Sequence, residues 1–520
     1  MGTSERLGPF PRADQLPDGR LFGLPRSITA LDRQLAVRTM AAAAALGFAG
    51  DHVFRASPWG LSVAVWLVAL VAFTAALVHE RDRRLTRAFT ALLSLAVFFA
   101  GCVAWRDAPM LAVWNVLGTL LCLALAGLAA SHAHLPSTPL AVYVRQPVRT
   151  ALNVVLGPVA LAQDGVDWRA MLDARRFSTV GAIGLGLVVS TPLVLVFGGL
   201  LGSADPVFER FLHSLVDWNV SRILGHLALF GVAGWLAAGL IRSVLARPAT
   251  QTRRLPWDIP FGLIELAIPL GLLAALFLAF DVVQVRYLFG GDDLIRSTVG
   301  LTYAEYARRG FFELVAVSVL MLPVLLSADW CAAHRDARTR RVVRALTIVL
   351  LALVGLIMTS AMLRMRLYVE VYGLSLDRIY ASAVMMWIAA TLLWFALTVL
   401  RARRDRFGFG TIVAGLAVLV GLNLANPDAL VARVNIERAA AGVQLDVAYL
   451  GTLSADATPT LLGALDRLDG GVACAVFEHL QRNRMHWSRS NDDWRSWNHA
   501  RASAVAAVRH DTPSDCSPDS

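Results

Sequence analysis

Eleven apolar runs separated by short polar segments occupy most of the chain. A membrane-spanning helix needs about 20 predominantly apolar residues, and most of the runs reach that length. The first run is Ala-rich and short, and it ends at Asp51. The pattern predicts an all-α fold, a polytopic membrane helix bundle with about eleven transmembrane helices. The runs cover residues 35–50, 58–78, 88–105, 109–131, 177–201, 219–241, 259–283, 310–332, 343–363, 379–400 and 407–424.

Arginine residues between the runs indicate which way the chain crosses the membrane. All 48 basic residues are Arg. The N-terminal segment and every second segment after it hold 27 of them, whereas the intervening segments hold 10. Cytoplasmic loops carry the excess of basic residues, so we expect a cytoplasmic N-terminus and an extracytoplasmic C-terminus. The outer segments 284–309 and 364–378 hold most of the exceptions, and orientation does not explain their Arg residues.

Polarity divides the chain into four regions. Residues 1–34 are polar and Pro-rich and predict a disordered cytoplasmic arm, and residues 35–424 predict the transmembrane bundle. Within the bundle, the linker 132–176 has apolar positions at helical spacing, which favours a cytoplasmic amphipathic helix on the inner surface. In residues 425–509 charge rises and apolar runs shorten, which predicts a small helical extracytoplasmic domain. Residues 510–520 are typical of a disordered tail.

Composition narrows the class of protein and its partners. The chain is 57% hydrophobic and 17% charged, and its mean hydropathy is +0.58, whereas soluble domains carry about 25% charge. The lipid bilayer is therefore the main partner, together with an envelope protein or a lipid ligand. The net charge of +10 comes from short Arg clusters between apolar runs, so we expect no nucleic-acid partner.

Motifs for catalysis or metal binding are missing from the sequence. No short apolar core follows a basic start, so we also expect no cleavable signal peptide. The five Cys residues show no Cys/His metal spacing, although Cys474 and Cys516 could pair if their region lies outside the cell. The sequence contains no GxSxG, Walker, HExxH or strand-linked GxGxxG motif. We therefore predict no catalytic residue, no metal and no cofactor, and a protein that is not an enzyme is favoured.

Several long motifs resemble a widespread bacterial family of multi-pass membrane proteins, which is catalogued only as a domain of unknown function. The resemblance covers roughly residues 40–505. It implies an integral protein of the bacterial inner membrane, within the cell envelope, and it implies no activity. The motifs are SADPVF (Ser203–Phe208), YLFGG (Tyr287–Gly291), YAEYARRGFFEL (Tyr303–Leu314), LRMRLYVEVYGLSLDRIYA (Leu363–Ala381) and PDALVARVNIERA with LDVAYLGTLSADATP (Pro427–Pro459).

Charged residues at the outer edge of the predicted bundle are candidates for ligand binding. A charge within hydrocarbon costs about 2.5–3.5 kcal/mol on insertion scales, so each needs a physical reason. One interpretation is an outer pocket in which Arg residues bind phosphate or carboxylate. The other is mutual pairing that pins the loops, since such residues recur at i, i+4 spacing. The candidates on the outer side are Asp205, Arg222, Glu305, Arg308, Arg309, Glu313, Arg364, Arg366 and Glu370.

Glu265 is a separate candidate, because it lies between Pro260 and Pro269 inside an apolar run. Proline frees backbone carbonyls, and these could form an ion or proton site beside the carboxylate. Alternatively, Glu265 pairs with a polar group on a neighbouring helix.

Three functions are consistent with these features. A non-catalytic scaffold or sensor of the envelope is favoured, because the outer charges can satisfy one another. A transporter or flippase for an anionic or lipid-linked molecule is the alternative. A glycosyltransferase that uses a lipid-linked sugar is the weakest hypothesis, because the first outer loop contains only Asp51 to Ser57.

Overall fold

The computed structural model describes residues 31–81, 86–131, 135–138, 140–165, 218–245, 262–289, 311–333 and 335–510. These residues form helices and turns and contain no strand, which confirms the predicted all-α class. The helices are α1 (Arg33–Val53), α2 (Leu61–Arg81), α3 (Arg87–Trp105), α4 (Pro109–Ser131), α5 (Leu140–Gly165), α6 (Trp218–Leu245), α7 (Leu263–Phe289), α8 (Phe311–Ala332), α9 (Ala337–Tyr372), α10 (Leu376–Thr398), α11 (Phe407–Ala425), α12 (Pro427–Ala440), α13 (Val447–Leu450), α14 (Thr458–Leu462), α15 (Gly470–Asp492) and α16 (His499–His510).

Nine helices of the described part are long and apolar enough to cross a membrane. They are α2, α3, α4 and α6 to α11, and they correspond to nine of the eleven predicted runs. The first run forms α1, which has 21 residues but does not reach the hydropathy of the nine. The run 177–201 lies outside the described residues. The predicted polytopic bundle is confirmed, while the total of about eleven spans stays a prediction.

The nine candidate spans, together with α1 and α5, pack as two groups, each around its own apolar core. The first group is α1 to α6, with Leu70 and Phe99 fully buried. The second group is α7 to α10, with Val354 and Phe395 fully buried. Helix α11 contacts both, because Leu416 packs in the first core and Phe407 in the second.

Small residues allow α1 to cross α6 at close range. A Cβ atom added at Gly47 would lie 2.8 Å from the carbonyl oxygen of Phe230 and 3.0 Å from the Cα of Gly234. Close approach through small residues gives membrane helices their packing energy, because burial from lipid supplies no hydrophobic gain. Gly47 and Gly234 therefore hold α1 in the first group even though α1 is less apolar than its neighbours.

Helix α9 is longer than the membrane is thick. Its 36 residues extend about 54 Å, whereas the hydrocarbon core is about 30 Å thick. The Asp336 side chain caps its start by accepting from the backbone N–H groups of Arg338 and Thr339. The helix ends at Gly373, whose φ of 79° and ψ of 178° form a conformation that essentially only glycine adopts. At least one end of α9 therefore projects out of the bilayer.

Helices α12 to α16, called here the C-terminal helices, share a third apolar core. Val431, Leu450, Leu461 and Ala504 are buried within it. Leu374, in the turn between α9 and α10, packs against the same core. The C-terminal helices are thus held together by their own packing and also rest on a turn of the membrane helices.

Four connections of the membrane helices meet the C-terminal helices on one side of the bundle. The backbone N–H of Leu61 donates to Trp497 at 2.7 Å, and the side chain of Asn498 donates to the carbonyl of Arg106 at 2.9 Å. The backbone N–H of Leu374 donates to the Asn435 side chain at 2.9 Å. The fourth connection is the start of α12, which follows α11 after Asn426 alone. The segments before α2, between α3 and α4 and between α9 and α10 are three of the five predicted to lie outside, and the structure gathers these three on one side of the bundle. Most of the other two, 203–218 and 284–309, lies outside the described residues.

Candidate functional site

A buried cluster of charged residues joins the first group of membrane helices to the C-terminal helices. We call it the junction, and it consists of Arg106, Asp107, Asp428, Asp456 and Arg501. It forms because Arg106 and Asp107 occupy the short connection between α3 and α4, where the C-terminal helices cover them. Both residues must therefore find their partners within the protein.

Arg106 connects three parts of the chain through its side chain. Its Nε donates to the carbonyl oxygen of Asn423 on α11 at 2.9 Å. Its Nη1 lies 3.1 Å from Oδ1 of Asp456, which is buried. The guanidinium also lies 4.2 Å from the ring centroid of Trp105. The second oxygen of Asp456 accepts from the backbone N–H of Asp107 at 2.6 Å, so this carboxylate binds two consecutive residues of the connection.

Asp107 forms the second ion pair of the junction. Its Oδ1 lies 2.8 Å from Nε of Arg501, whose side chain is 2% exposed. Its Oδ2 accepts from the backbone N–H of Ala455 at 3.2 Å. Arg501 also donates from Nη2 to the carbonyl oxygen of Trp59, before α2, at 2.5 Å. Helix α16 is thereby fixed to two separate connections of the first group.

Asp428 is the third acid of the junction and is 1% exposed. One of its oxygens accepts from the backbone N–H of Ser454 at 2.8 Å, and the other has no hydrogen-bond partner in the described part of the chain. The hydroxyl of Thr458, also fully buried, has no partner there either. The junction thus holds three carboxyl groups against two guanidinium groups, an excess of one acid.

Burial sets the protonation of these acids. Burial raises the pKa of Asp107 to about 6, although the neighbouring Arg501 opposes the shift. Burial also raises the pKa of Asp428, against the hydrogen bonds from Ser454. For Arg501, burial lowers the pKa and the Asp107 carboxylate raises it again. Protonation of one acid would leave the junction neutral. A neutral site has the lowest desolvation free energy when it is shielded from water.

Buried ion pairs of this kind specify an arrangement more than they add stability. The desolvation of both charges roughly offsets their attraction, but removing one partner leaves an uncompensated buried charge and costs about 3–5 kcal/mol. The junction therefore penalises any other placement of the C-terminal helices on the first group.

An amide pair lies among the membrane helices next to the junction. The side chains of Asn115 on α4 and Asn423 on α11 donate to each other at 2.9 and 2.8 Å, and both are fully buried. The carbonyl of Asn423 is the group that binds Arg106. The pair links α11 to the first group directly beneath the junction.

The second group contains a separate layer of buried polar residues between α7 and α9. Ser360 donates a hydrogen bond to the side-chain oxygen of Gln284. Asp281, Gln284, Ser360 and Arg364 are all buried. One oxygen of Asp281 has no hydrogen-bond partner among the described residues. An ionisable residue inside a membrane protein is costly, so this layer is the second site of interest.

The structure places the sequence candidates in different environments. Asp205, Glu305, Arg308 and Arg309 lie outside the described residues, and so does the side chain of Arg222, which belongs to α6. Their assignment to a ligand site stays a prediction. Cys474 is disulfide-bonded, and Cys516 lies outside the described residues.

The described candidates do not form one cluster. Glu313 is exposed in the first turn of α8. Arg364 is buried in the polar layer of α9, whereas Arg366 and Glu370, further along α9, are exposed. Among the described residues Arg366 and Glu370 form no ion pair, although their spacing would allow one. The carbonyl oxygen of Glu370 instead accepts from Arg438 of α12 at 2.9 Å.

Glu265 differs from its expected position. We expected it well inside a span, but α7 begins at Leu263 and Glu265 lies in its first turn, where it is exposed. The partial positive charge of a helix N-terminus favours a carboxylate there. This end of α7 is also remote from the polar layer, which includes Gln284 near the other end of the helix. Glu265 therefore lies at the end of the span and not in mid-membrane, and because Pro269 lacks an N–H for the Glu265 carbonyl, its assignment to an ion or proton site stays a prediction.

Sequence reasoning overlooked all five residues of the junction as site residues. The sequence does carry one signal, since Arg106 and Asp107 are the only charged residues between two long apolar runs. Among the described residues, no group of three or more His, Cys, Asp or Glu side chains could hold a metal ion.

These helices, with their two membrane cores, define a multi-pass integral membrane protein. Residues 93–464 match the family model described as Domain of unknown function (DUF4153), and the chain belongs to this family. The match confirms the resemblance inferred from the motifs, over a narrower range than expected. It includes the three acids of the junction but ends before Arg501. No curated protein and no solved structure matches the chain.

Proposed function

We propose that the chain is a non-catalytic scaffold of the bacterial envelope that holds its C-terminal helices in one fixed orientation on the outer face of the inner membrane. The observation that carries this proposal is the junction, in which Arg501 and Asp456 reach the connection between α3 and α4 through buried ion pairs. Buried ion pairs between distant segments determine orientation well, because any other arrangement leaves a buried charge without its partner.

Contacts to the second group support the same function. Arg438 of α12 donates to the carbonyl oxygens of Glu370 and Val371 at the end of α9. Asn435 of α12 binds both the N–H and the carbonyl of Leu374. The C-terminal helices therefore bridge the two groups of membrane helices, and they present their exposed faces at a constant angle to the bilayer.

The location of the C-terminal helices on the outer face is part of the proposal. It is supported by the Arg pattern, because the segments that contact the C-terminal helices are poor in Arg, apart from the turn after α9, while the opposite connections are rich in it. A scaffold on the outer face would display its helices to the periplasm and to other envelope proteins.

Site-specific photo-crosslinking in intact cells at native expression tests this function. A photoreactive residue is placed at Met485 on α15, which is 61% exposed, and in a matched control at Leu272 on α7, which is 68% exposed. We expect a discrete adduct with one envelope protein from position 485, weakened when Arg501→Leu disturbs the junction, and no such adduct from position 272. If position 485 yields no adduct, or the same set of adducts as position 272, the scaffold function is wrong.

Transport or flipping of an anionic or lipid-linked molecule is the second candidate. The polar layer with Asp281, Gln284, Ser360 and Arg364 favours it, because buried polar residues between membrane helices commonly mark a translocation path. The test is flux of an anionic solute, or movement of a labelled anionic lipid, in proteoliposomes. Transport should be lost in Arg364→Ala and retained in Arg366→Ala, whose side chain is exposed on the same helix. Equal loss in both variants, or no transport by the wild type, would count against it.

A further inference from the structure

A small polar cavity lies between the second group of membrane helices and the C-terminal helices. Its volume is about 240 Å³, and its walls come from the turn after α9, the start of α10, helix α12 and the segment before α13. The residues that matter for its chemistry are Tyr372, Arg378, Asn435, Arg438, Asp446 and Tyr449. The junction described above is on the first group, so this cavity is a different site.

Arg438 reaches the cavity from α12 while it caps α9. Its Nη2 donates to the carbonyl oxygens of Glu370 at 2.9 Å and Val371 at 2.8 Å. These carbonyls belong to the last turn of α9, where a helix leaves its acceptors unpaired. Nε and Nη1 of Arg438 make no hydrogen bond within the described residues, so part of the guanidinium remains available.

Arg378 approaches the same turn from α10. Its Nη1 donates to the carbonyl oxygen of Gly373, and its guanidinium lies 4.1 Å from the ring centroid of Tyr368. Tyr368 in turn packs edge-on against Tyr372 with 5.0 Å between ring centroids. The stacked position fixes the guanidinium plane and leaves its other N–H groups at the cavity wall.

Gly373 is the point at which the two arginines meet. A Cβ atom at this position would lie 2.4 Å from Nη1 of Arg438 and 2.4 Å from Oδ1 of Asn435. Its φ of 79° also excludes most other residues. Because Gly373 has no side chain, Arg438 can lie against the turn, close to the Gly373 carbonyl that accepts a hydrogen bond from Arg378.

We propose that this cavity binds a small anion, one that carries a carboxylate or phosphate group, between Arg378 and Arg438. Two guanidinium groups face one carboxylate in the lining, that of Asp446, which is already engaged in capping α13 through the backbone N–H of Tyr449. The lining thus has an excess of positive charge, and guanidinium groups bind carboxylate and phosphate through paired hydrogen bonds.

The remaining walls fit the same class of ligand. The hydroxyl oxygen of Tyr449 accepts from the backbone N–H of Leu376 at 3.0 Å, which leaves its own proton to donate. The volume is below the 300–1,000 Å³ of pockets for drug-sized molecules. The cavity therefore accepts a free anion of a few heavy atoms or the phosphate of a lipid headgroup, and it excludes acyl chains.

The proposal does not depend on the scaffold function, because it concerns the turn after α9 and not the protein that the C-terminal helices would bind. It does have a structural consequence. A ligand held by Arg378 of α10 and Arg438 of α12 would connect the second group of membrane helices to the C-terminal helices.

Binding is measured on the purified full-length protein in nanodiscs of neutral phosphatidylcholine, with inorganic phosphate and with citrate as separate probes. A third arm replaces part of the lipid with phosphatidylglycerol. We expect Arg378→Gln and Arg438→Gln each to weaken binding at least tenfold. The control is Arg433→Gln, which removes one positive charge from the exposed side of the same helix α12 and should change the dissociation constant less than twofold. Melting temperatures of the unliganded variants show whether each is folded. One folded cavity variant is enough to test the proposal.

Each outcome decides the matter. Binding of a soluble anion that only the cavity variants lose supports a free ligand. Binding confined to the phosphatidylglycerol arm, with the same loss, supports a lipid headgroup. No binding in any arm, or equal binding by the wild type and both folded cavity variants, overturns the proposal.

Discussion

Arg501 and Asp107 contact each other at 2.8 Å although they are 394 residues apart in the sequence. This single ion pair connects the last helix of the described part to the connection between α3 and α4. It closes the C-terminal helices onto the first group of membrane helices, while Arg438 and Asn435 close them onto the second.

Breaking that ion pair on one side should destabilise the protein strongly. Arg501→Leu leaves Asp107 buried without its partner, which should cost about 3–5 kcal/mol. The double variant D107L/R501L, in which neither charge remains, should be more stable than Arg501→Leu. The measurement is thermal unfolding of the four proteins in detergent as a double-mutant cycle. A double variant as unstable as the sum of both single variants would show that the two residues do not interact.

Mild acidification should increase the stability of the folded protein. The pKa of Asp107 is raised from 3.8 to about 6 in the folded protein, so between these values the folded state binds a proton that the unfolded state does not. Stability therefore falls as pH rises through this window, by on the order of 3 kcal/mol. Asp428, whose pKa burial also raises, acts in the same direction.

The pH profile of Asp107→Asn isolates this contribution. Asp336 and Asp493 have lowered pKa values from their local hydrogen bonds and act with the opposite sign, but they are common to both proteins. The difference between the wild type and Asp107→Asn should change between pH 4 and pH 7. A constant difference across that range would contradict the raised pKa.

The amide pair of Asn115 and Asn423 should be replaceable only as a pair. Asn423→Leu leaves the buried amide of Asn115 without its partner, and it should destabilise the protein by about 1–2 kcal/mol. The variant N115L/N423L should recover part of that loss. Unfolding in detergent measures both, and no difference between the single and the double variant would indicate that another group takes the place of Asn423.

Close packing of α1 on α6 should depend on Gly47. A methyl group there would meet the backbone at 2.8 Å, so Gly47→Ala should cost about 1–3 kcal/mol through overpacking. Gly271→Ala is the matched control, because a Cβ at Gly271 meets nothing within 4 Å and Ala is a better helix former. We expect a lower melting temperature for Gly47→Ala alone, and equal values would refute the close crossing.

Topology reporters should place the C-terminal helices and the connection before α11 on opposite sides of the membrane. Alkaline phosphatase fused after Arg509 should be active, and a fluorescent protein in the same place should be dark, if the C-terminal helices lie outside the cell. Fusions at Arg403, in the Arg-rich connection before α11, should give the reverse. Activity of the phosphatase at Arg403 and not at Arg509 would invert the assignment.

Apolar runs predicted most of the membrane helices because lipid leaves the backbone no alternative. A run of about 20 apolar residues must satisfy its own hydrogen bonds, and only a helix does so. The same rule does not locate helix ends. Glu265 was expected well inside a span because the apolar run starts at residue 259, yet α7 starts at Leu263 and keeps Pro269 within the helix.

The junction could not be predicted because its partners are distant in sequence. Nothing near Asp107 indicates that Arg501 will neutralise it, and Arg501 itself lies in an ordinary polar helix pattern. The spacing of Arg366 and Glu370 suggested a local pair, but Glu370 uses its backbone carbonyl to bind Arg438 of another helix. Sequence spacing shows which side chains could pair within a helix, but tertiary packing determines which contacts form.

Helix α9 mechanically connects the two ends of the second group of membrane helices. Its 36 residues form one continuous rod from the Asp336 cap to Gly373, so the cavity at one end and the Arg-rich segment at the other belong to the same rigid element. A tilt of about 4° about its middle would displace the two ends by about 2 Å in opposite directions. A displacement of the turn at Gly373 would therefore reach the Arg-rich segment through a single helix, and it would shift α9 against α7, α8 and α10 in the second core.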